Sequence, residues 1–153
     1  MKKLCGLIFL LLLVAPSLCQ ATNWQQVPHE PQYLLDQDSL TYQKNNEGQS
    51  QTELVGVVIR KNISQDQANK LAAGQTDANL KSIIELTAYE ENLYWFNLNK
   101  QTFYLAGSAL LSSSENILAT SQTETGPQPI PEKGLFAEIY KEILSAQVQK
   151  QIN

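Results

Sequence analysis

The chain has 153 residues, of which 11 are basic and 15 acidic, with one histidine and a net charge of −4. An acidic balance with a single arginine, Arg60, offers no basic face to nucleic acid or to an anionic membrane surface. One histidine and two cysteines leave little for metal or nucleophile chemistry.

The first residues read as a secretory leader. Lys2 and Lys3 form a positive start, Leu4 to Ala15 an apolar run, and Pro16 to Ala21 a short stretch ending in a small residue. The run is too short for a membrane span, so a transmembrane anchor is the lesser reading. Cleavage after Ala21 leaves residues 22–153, a length that suits one domain with one core. Cys19 raises a competing reading, a lipid anchor, although Leu18 stands where a lipoprotein signal has a small residue. If cleavage follows Ala21, Cys5 and Cys19 both leave with the leader, and the exported domain is held by its core alone.

Taken in order, Asn23 to Val27 is a short strand stopped by Pro28 and Pro31, and Gln32 to Leu35 a second. Asp36-Gln37-Asp38-Ser39 supplies turn residues, Leu40 to Lys44 returns as a strand, and Asn45 to Gly48 turns again. Thr52 to Arg60 is apolar almost without break from Leu54 to Ile59, so it is expected at the centre of a sheet and covered on both faces. Gly56 inside it marks a bulge or a close approach of another element. Ser64 and Gln67 have capping-box spacing before an alanine-rich stretch, which predicts a short helix near 65–73, with a surface loop as the alternative.

Lys81 to Ala88 fits two patterns. Leu80, Ile83, Ile84 and Ala88 have helical spacing, but continuity with the aromatic run that follows favours a strand, and a strand is expected. Glu91 to Gly107 holds two aromatic-rich runs around a polar knot at Asn97 to Lys100, the mark of a central hairpin with strands near 92–98 and 101–111. Ile117 to Ser121 is a last short strand. Gly126 to Pro131 is too proline-rich for a sheet interior and reads as an extended crossover. From about Glu132, Phe136, Ile139, Tyr140, Ile143, Leu144, Val148 and Ile152 recur at three and four residues. They predict a long helix that lays an apolar stripe on the sheet. The expected class is α+β, an antiparallel sheet of about six strands packed against a long C-terminal helix.

No catalytic set emerges, and the chain is read as non-enzymatic, without cofactor or metal. His29 lies between prolines and lacks a second histidine or cysteine. Asp36 and Asp38 read as a turn, since the twelve-residue calcium loop is absent. Glu90 and Glu91 point to opposite faces of a strand and are expected at a hairpin tip or a solvated edge. Ser112 to Ser114 have no nucleophile motif around them. Asn62-Ile63-Ser64 matches the short N-glycosylation pattern. Tyr94-Trp95-Phe96 is the one candidate binding segment, with core packing as the competing use, because aromatics are enriched at interface centres.

The order of these features resembles the surface-adhesin protein E family of Gram-negative bacteria. The resemblance rests on Trp24 soon after the leader, Tyr33-Leu34-Leu35-Asp36-Gln37-Asp38-Ser39, the apolar strand Glu53 to Arg60, Ser82 running into the aromatic stretch to Phe96, and Pro129-Ile130-Pro131 before Glu138-Ile139-Tyr140. It implies an antiparallel sheet covered by a C-terminal helix. It also implies adhesion, that is, binding of host extracellular-matrix or serum proteins. Members often carry cysteines at places similar to Leu98 and Leu144, which implies that these two side chains meet. A periplasmic or envelope module without a host ligand is the alternative function, and an exposed sheet edge would let two copies pair as a homodimer.

Overall fold

The computed structural model describes residues 23–152 apart from Asn46 and Thr123, with side chains described as far as Gln147. The expected leader, the expected cleavage after Ala21 and Cys19 lie outside the described residues.

The strand-forming runs build one antiparallel sheet: β1 (Trp24–Val27), β2 (Glu30–Asp36), β3 (Thr41–Lys44), β4 (Ser50–Asn62), β5 (Tyr89–Asn97), β6 (Thr102–Leu111), β7 (Ile117–Ser121) and β8 (Gln128–Pro129). The sheet has eight strands where about six were expected: the main path runs β1-β2-β4-β5-β6-β7, with β3 beside β4 and β8 beside β6. The helices are α1 (Gln65–Ala73), α2 (Ala78–Leu86) and α3 (Leu135–Ile152). The fold is thus α+β, an antiparallel sheet with a C-terminal helix.

The long strand β4 is the spine. Its Gly56 to Val58 region is shared at one edge by two neighbours: β3 pairs as far as Gly56, and β2 takes over at Ile59. The turn between those neighbours bridges the join. Asp36 accepts from the Asp38 amide, Ser39 Oγ donates to the Asp36 carbonyl, and the same Oγ accepts from the Val58 amide at 2.9 Å. The Asp-rich turn read from the sequence therefore replaces a missing rung of the ladder, as a buried amide requires.

Alternation sorts β4 and β5 into two faces. Val55, Val57 and Ile59 form one row and are at most 3% exposed. Their partners Phe96 and Tyr94 lie beside Val55 and Val57. On this face Ile139 and Ile143 of α3 complete a core with Val27, Leu35 and Phe103. Phe136 stacks on Phe103 with ring centroids 3.9 Å apart and meets Tyr94 edge-on at 5.1 Å. Tyr140 donates to the Leu98 carbonyl at 3.2 Å, tying the helix to the β5–β6 turn. The helix starts at Leu135 rather than near Glu132, because Gly134 adopts φ +92°, outside helical geometry. Its buried stripe also turns away from Leu144, which is 38% exposed, toward Ala137, Ile139 and Ile143.

Residues 81–88, expected as strand, are helical through Leu86. The cause is pairing. Asn62 at the end of β4 pairs with Tyr89 at the start of β5, and the Ile63 amide donates to the Ala88 carbonyl. Beyond that point β4 departs into α1, so a strand over 81–88 has no partner there. Asp77 caps α2 by accepting from the Leu80 amide, and Thr87 Oγ1 closes it on the Ile83 carbonyl. The helix expected at 65–73 forms as α1, with Ser64 and Gln67 making both halves of the capping box.

Candidate functional site

The second face of the sheet is read from four successive cross-strand pairs on β4 and β5: Gly56–Trp95, Val58–Leu93, Arg60–Glu91 and Asn62–Tyr89. The core residues of α3 belong to the first face. The loop that carries α1 and α2 shares a cavity with Glu90 and Leu110, whose register puts them on that first face too. Trp95 and Leu93 on the second face remain half-buried.

Gly56 sets the position of Trp95. A Cβ at Gly56 would stand 3.0 Å from Cη2 and Cζ3 of the indole, so the ring lies across bare backbone. The sequence reading of Gly56 as a point of close approach is met by this contact. Tyr94-Trp95-Phe96, singled out as one segment, is divided by the sheet. Phe96 is fully buried beneath the helix, Tyr94 packs on Phe136, and Trp95 faces the other way.

Two pairs farther along the same face, beyond Val58–Leu93, lies a group that the sequence reading did not assemble. Arg60 is 6% exposed and Glu91 is fully buried. The Arg60 Nε donates to Glu91 Oε1 at 2.8 Å, Nη2 donates to the same oxygen, and Nη1 donates to Glu115 Oε1 at 2.6 Å. The guanidinium carbon lies 4.3 Å from the Trp24 ring centre and 4.6 Å from that of Tyr89, within the range of cation–π attraction. Glu91 Oε2 is buried with no hydrogen-bond partner among the described residues. Burial raises the Glu91 pKa, and Arg60 offsets part of that rise. Burial pulls the Arg60 pKa down, but its bonds to Glu115 and Glu91 outweigh it and the net direction is up. Asp36, also buried, is raised by desolvation and restrained by the Asp38 amide.

Glu91 is therefore not at a solvated edge or hairpin tip. Strand register places it opposite Arg60, and a buried guanidinium needs a carboxylate there. A signal was available: Arg60 is the sole arginine and directly follows the apolar run Leu54 to Ile59. Its partners were not, since they lie 31 and 55 residues away along the chain. The remaining candidates stay apart. His29 is an exposed turn residue at φ +62°, Asp36 caps the turn before β3, and Ser112 to Ser114 form the β6–β7 loop. Among the described residues no helix is long and apolar enough to cross a membrane.

No family model and no curated sequence matches the chain. Two solved structures of Haemophilus influenzae protein E resemble it in fold. Crystal form II has a TM-score of 0.52, with 81% of this chain and 88% of that one covered. The selenomethionine form has a TM-score of 0.56, with 81% and 87% covered. Identity is 7% in both. The likeness establishes a shared fold.

Proposed function

We propose that this chain is an exported, non-enzymatic protein-binding module of the adhesin type, which holds its partner on the second face of the sheet. The observation that carries this reading is Trp95. It is a large half-buried aromatic on the face opposite the C-terminal helix, laid across Gly56 and continued by Leu93. Aromatic side chains of this kind supply interface centres, because they bury much area at little conformational cost. The fold shared with protein E supports the same reading. The leader pattern of residues 1–21 supports export to the periplasm, the medium or the outer surface. A host extracellular-matrix or serum protein is the partner class proposed.

The test uses residues 22–153 against immobilised matrix and serum proteins. At least one should bind, and Trp95→Ala should weaken it about tenfold or more, as loss of a central aromatic anchor does, with the melting temperature near that of the parent. Binding unaffected by Trp95→Ala moves the partner off this face. Complete protection of the protein when protease is added to intact cells argues for the envelope alternative.

A further inference from the structure

We infer that Arg60 is a receptor for a carboxylate carried by the bound partner, and that Glu115 is a built-in competitor occupying that position in the free protein. The inference deepens the reading of the second face as a binding face and rests on it. The ligand class is an acidic side chain of a protein.

The geometry separates an inner and an outer half of the guanidinium. Nε and Nη2 are held by Glu91, which is fully buried, and the flanking rings of Trp24 and Tyr89 restrict the plane. Those contacts fix the direction of Nη1. The outer half points to Glu115, whose side chain is 58% exposed against 8% for that of Arg60. A fixed, always charged fork with one edge turned to the surface is the arrangement that recognises carboxylates.

Glu115 is poised to leave. It sits at φ +62°, a left-handed conformation that a glutamate adopts only at a cost. Its loop closes without its carboxylate: the Ser112 amide donates to the Asn116 carbonyl, the Glu115 amide to the Ser112 carbonyl, and the Asn116 amide to Ser112 Oγ. The side chain can swing outward while these three bonds persist. An incoming carboxylate then accepts from Nη1 where Glu115 did. One hydrogen bond is exchanged for another, no proton moves, and the charge around Arg60, Glu91 and Asp36 is unchanged.

Arginine occurs once in the chain, so its Nε–H gives a single side-chain signal in a nitrogen–proton correlation spectrum. The mature protein is titrated with sodium acetate and, at matched ionic strength, with sodium chloride. Acetate should shift the Arg60 signal saturably, and chloride should not. In Glu115→Gln the half-saturating acetate concentration should fall about tenfold, the factor expected when the effective concentration of the tethered competitor is about ten times its own dissociation constant. Glu115→Gly, which suits the positive φ, should behave alike and guards against a folding defect in the first variant. Equal responses to the two salts, or the same half-saturation in parent and variants, overturn the inference. The titration needs no partner protein. Its failure leaves the Trp95 face standing, whereas a normal titration without any partner binding overturns that face, and with it the partner as source of the carboxylate, while Arg60 remains a carboxylate site.

Discussion

Replacing Arg60 by methionine keeps most of the side-chain volume and removes the charge. It leaves Glu91 fully buried with neither oxygen matched by a cation. Breaking a buried pair from one side costs about 3–5 kcal/mol, because the remaining charge is desolvated and uncompensated. For a domain of this size that corresponds to a fall in melting temperature of about 10–20 °C. The loss should depend on pH. Without Arg60, the Glu91 pKa rises further than burial already raises it. The penalty is full above that folded-state pKa and fades as pH falls through it toward the unfolded value, because the buried group then binds a proton. The gap between parent and variant, followed by calorimetry from neutral to acidic pH, should therefore narrow on acidification. Adding Glu91→Leu should restore most of the stability at neutral pH, since an apolar pair of similar volume often replaces a buried ion pair without loss. A melting temperature for Arg60→Met within about 3 °C of the parent, or a gap that does not change with pH, refutes the assignment of Glu91 as a buried, Arg60-dependent charge.

Three further outcomes are expected. Ile143→Asp, which puts an unpaired charge at a position 1% exposed on the core-facing side of α3, should abolish the cooperative thermal transition seen by circular dichroism. Gly56→Ala forces the Trp95 ring off its seat and should cost about 1–3 kcal/mol in denaturant unfolding, with a shift in tryptophan emission that Val57→Ala does not reproduce. Leu98 and Leu144 line one groove at the end of the sheet. Leu98→Cys with Leu144→Cys should therefore crosslink under mild oxidation and show as a faster band on a non-reducing gel, whereas no crosslink would separate the two side chains.

The strands were legible because their residues announce them locally. Leu54 to Ile59 and Tyr94 to Phe96 are β-branched and aromatic runs, and the row Val55, Val57, Ile59 fills one face by alternation alone. α3 was legible from its period, although its exact stripe was not: Leu144 fits the spacing, but the crossing of helix and sheet leaves it 38% exposed. α2 was misread for a physical reason. Leu80, Ile83 and Ile84 are apolar enough for either element, and the deciding fact is that β4 ends at Asn62. That fact is one of pairing, which short-range pattern does not contain. The site divides likewise. Trp95 and Gly56 were visible as an aromatic and a strand glycine, whereas Arg60, Glu91, Glu115 and Trp24 come together only through three strand registers and one loop.

The way neighbours share the long strands has a further consequence. β3 and β2 divide one edge of β4, and β7 and β8 divide one edge of β6, with the Thr125 amide and hydroxyl bonding the Leu105 backbone between them. The outermost strands are thereby cut short: four residues in β1, four in β3, five in β7 and two in β8. An open sheet whose margins were long and straight would template another chain and grow into fibres. Here each margin ends after two to five residues, so no long straight edge of unpaired backbone is offered to a second chain.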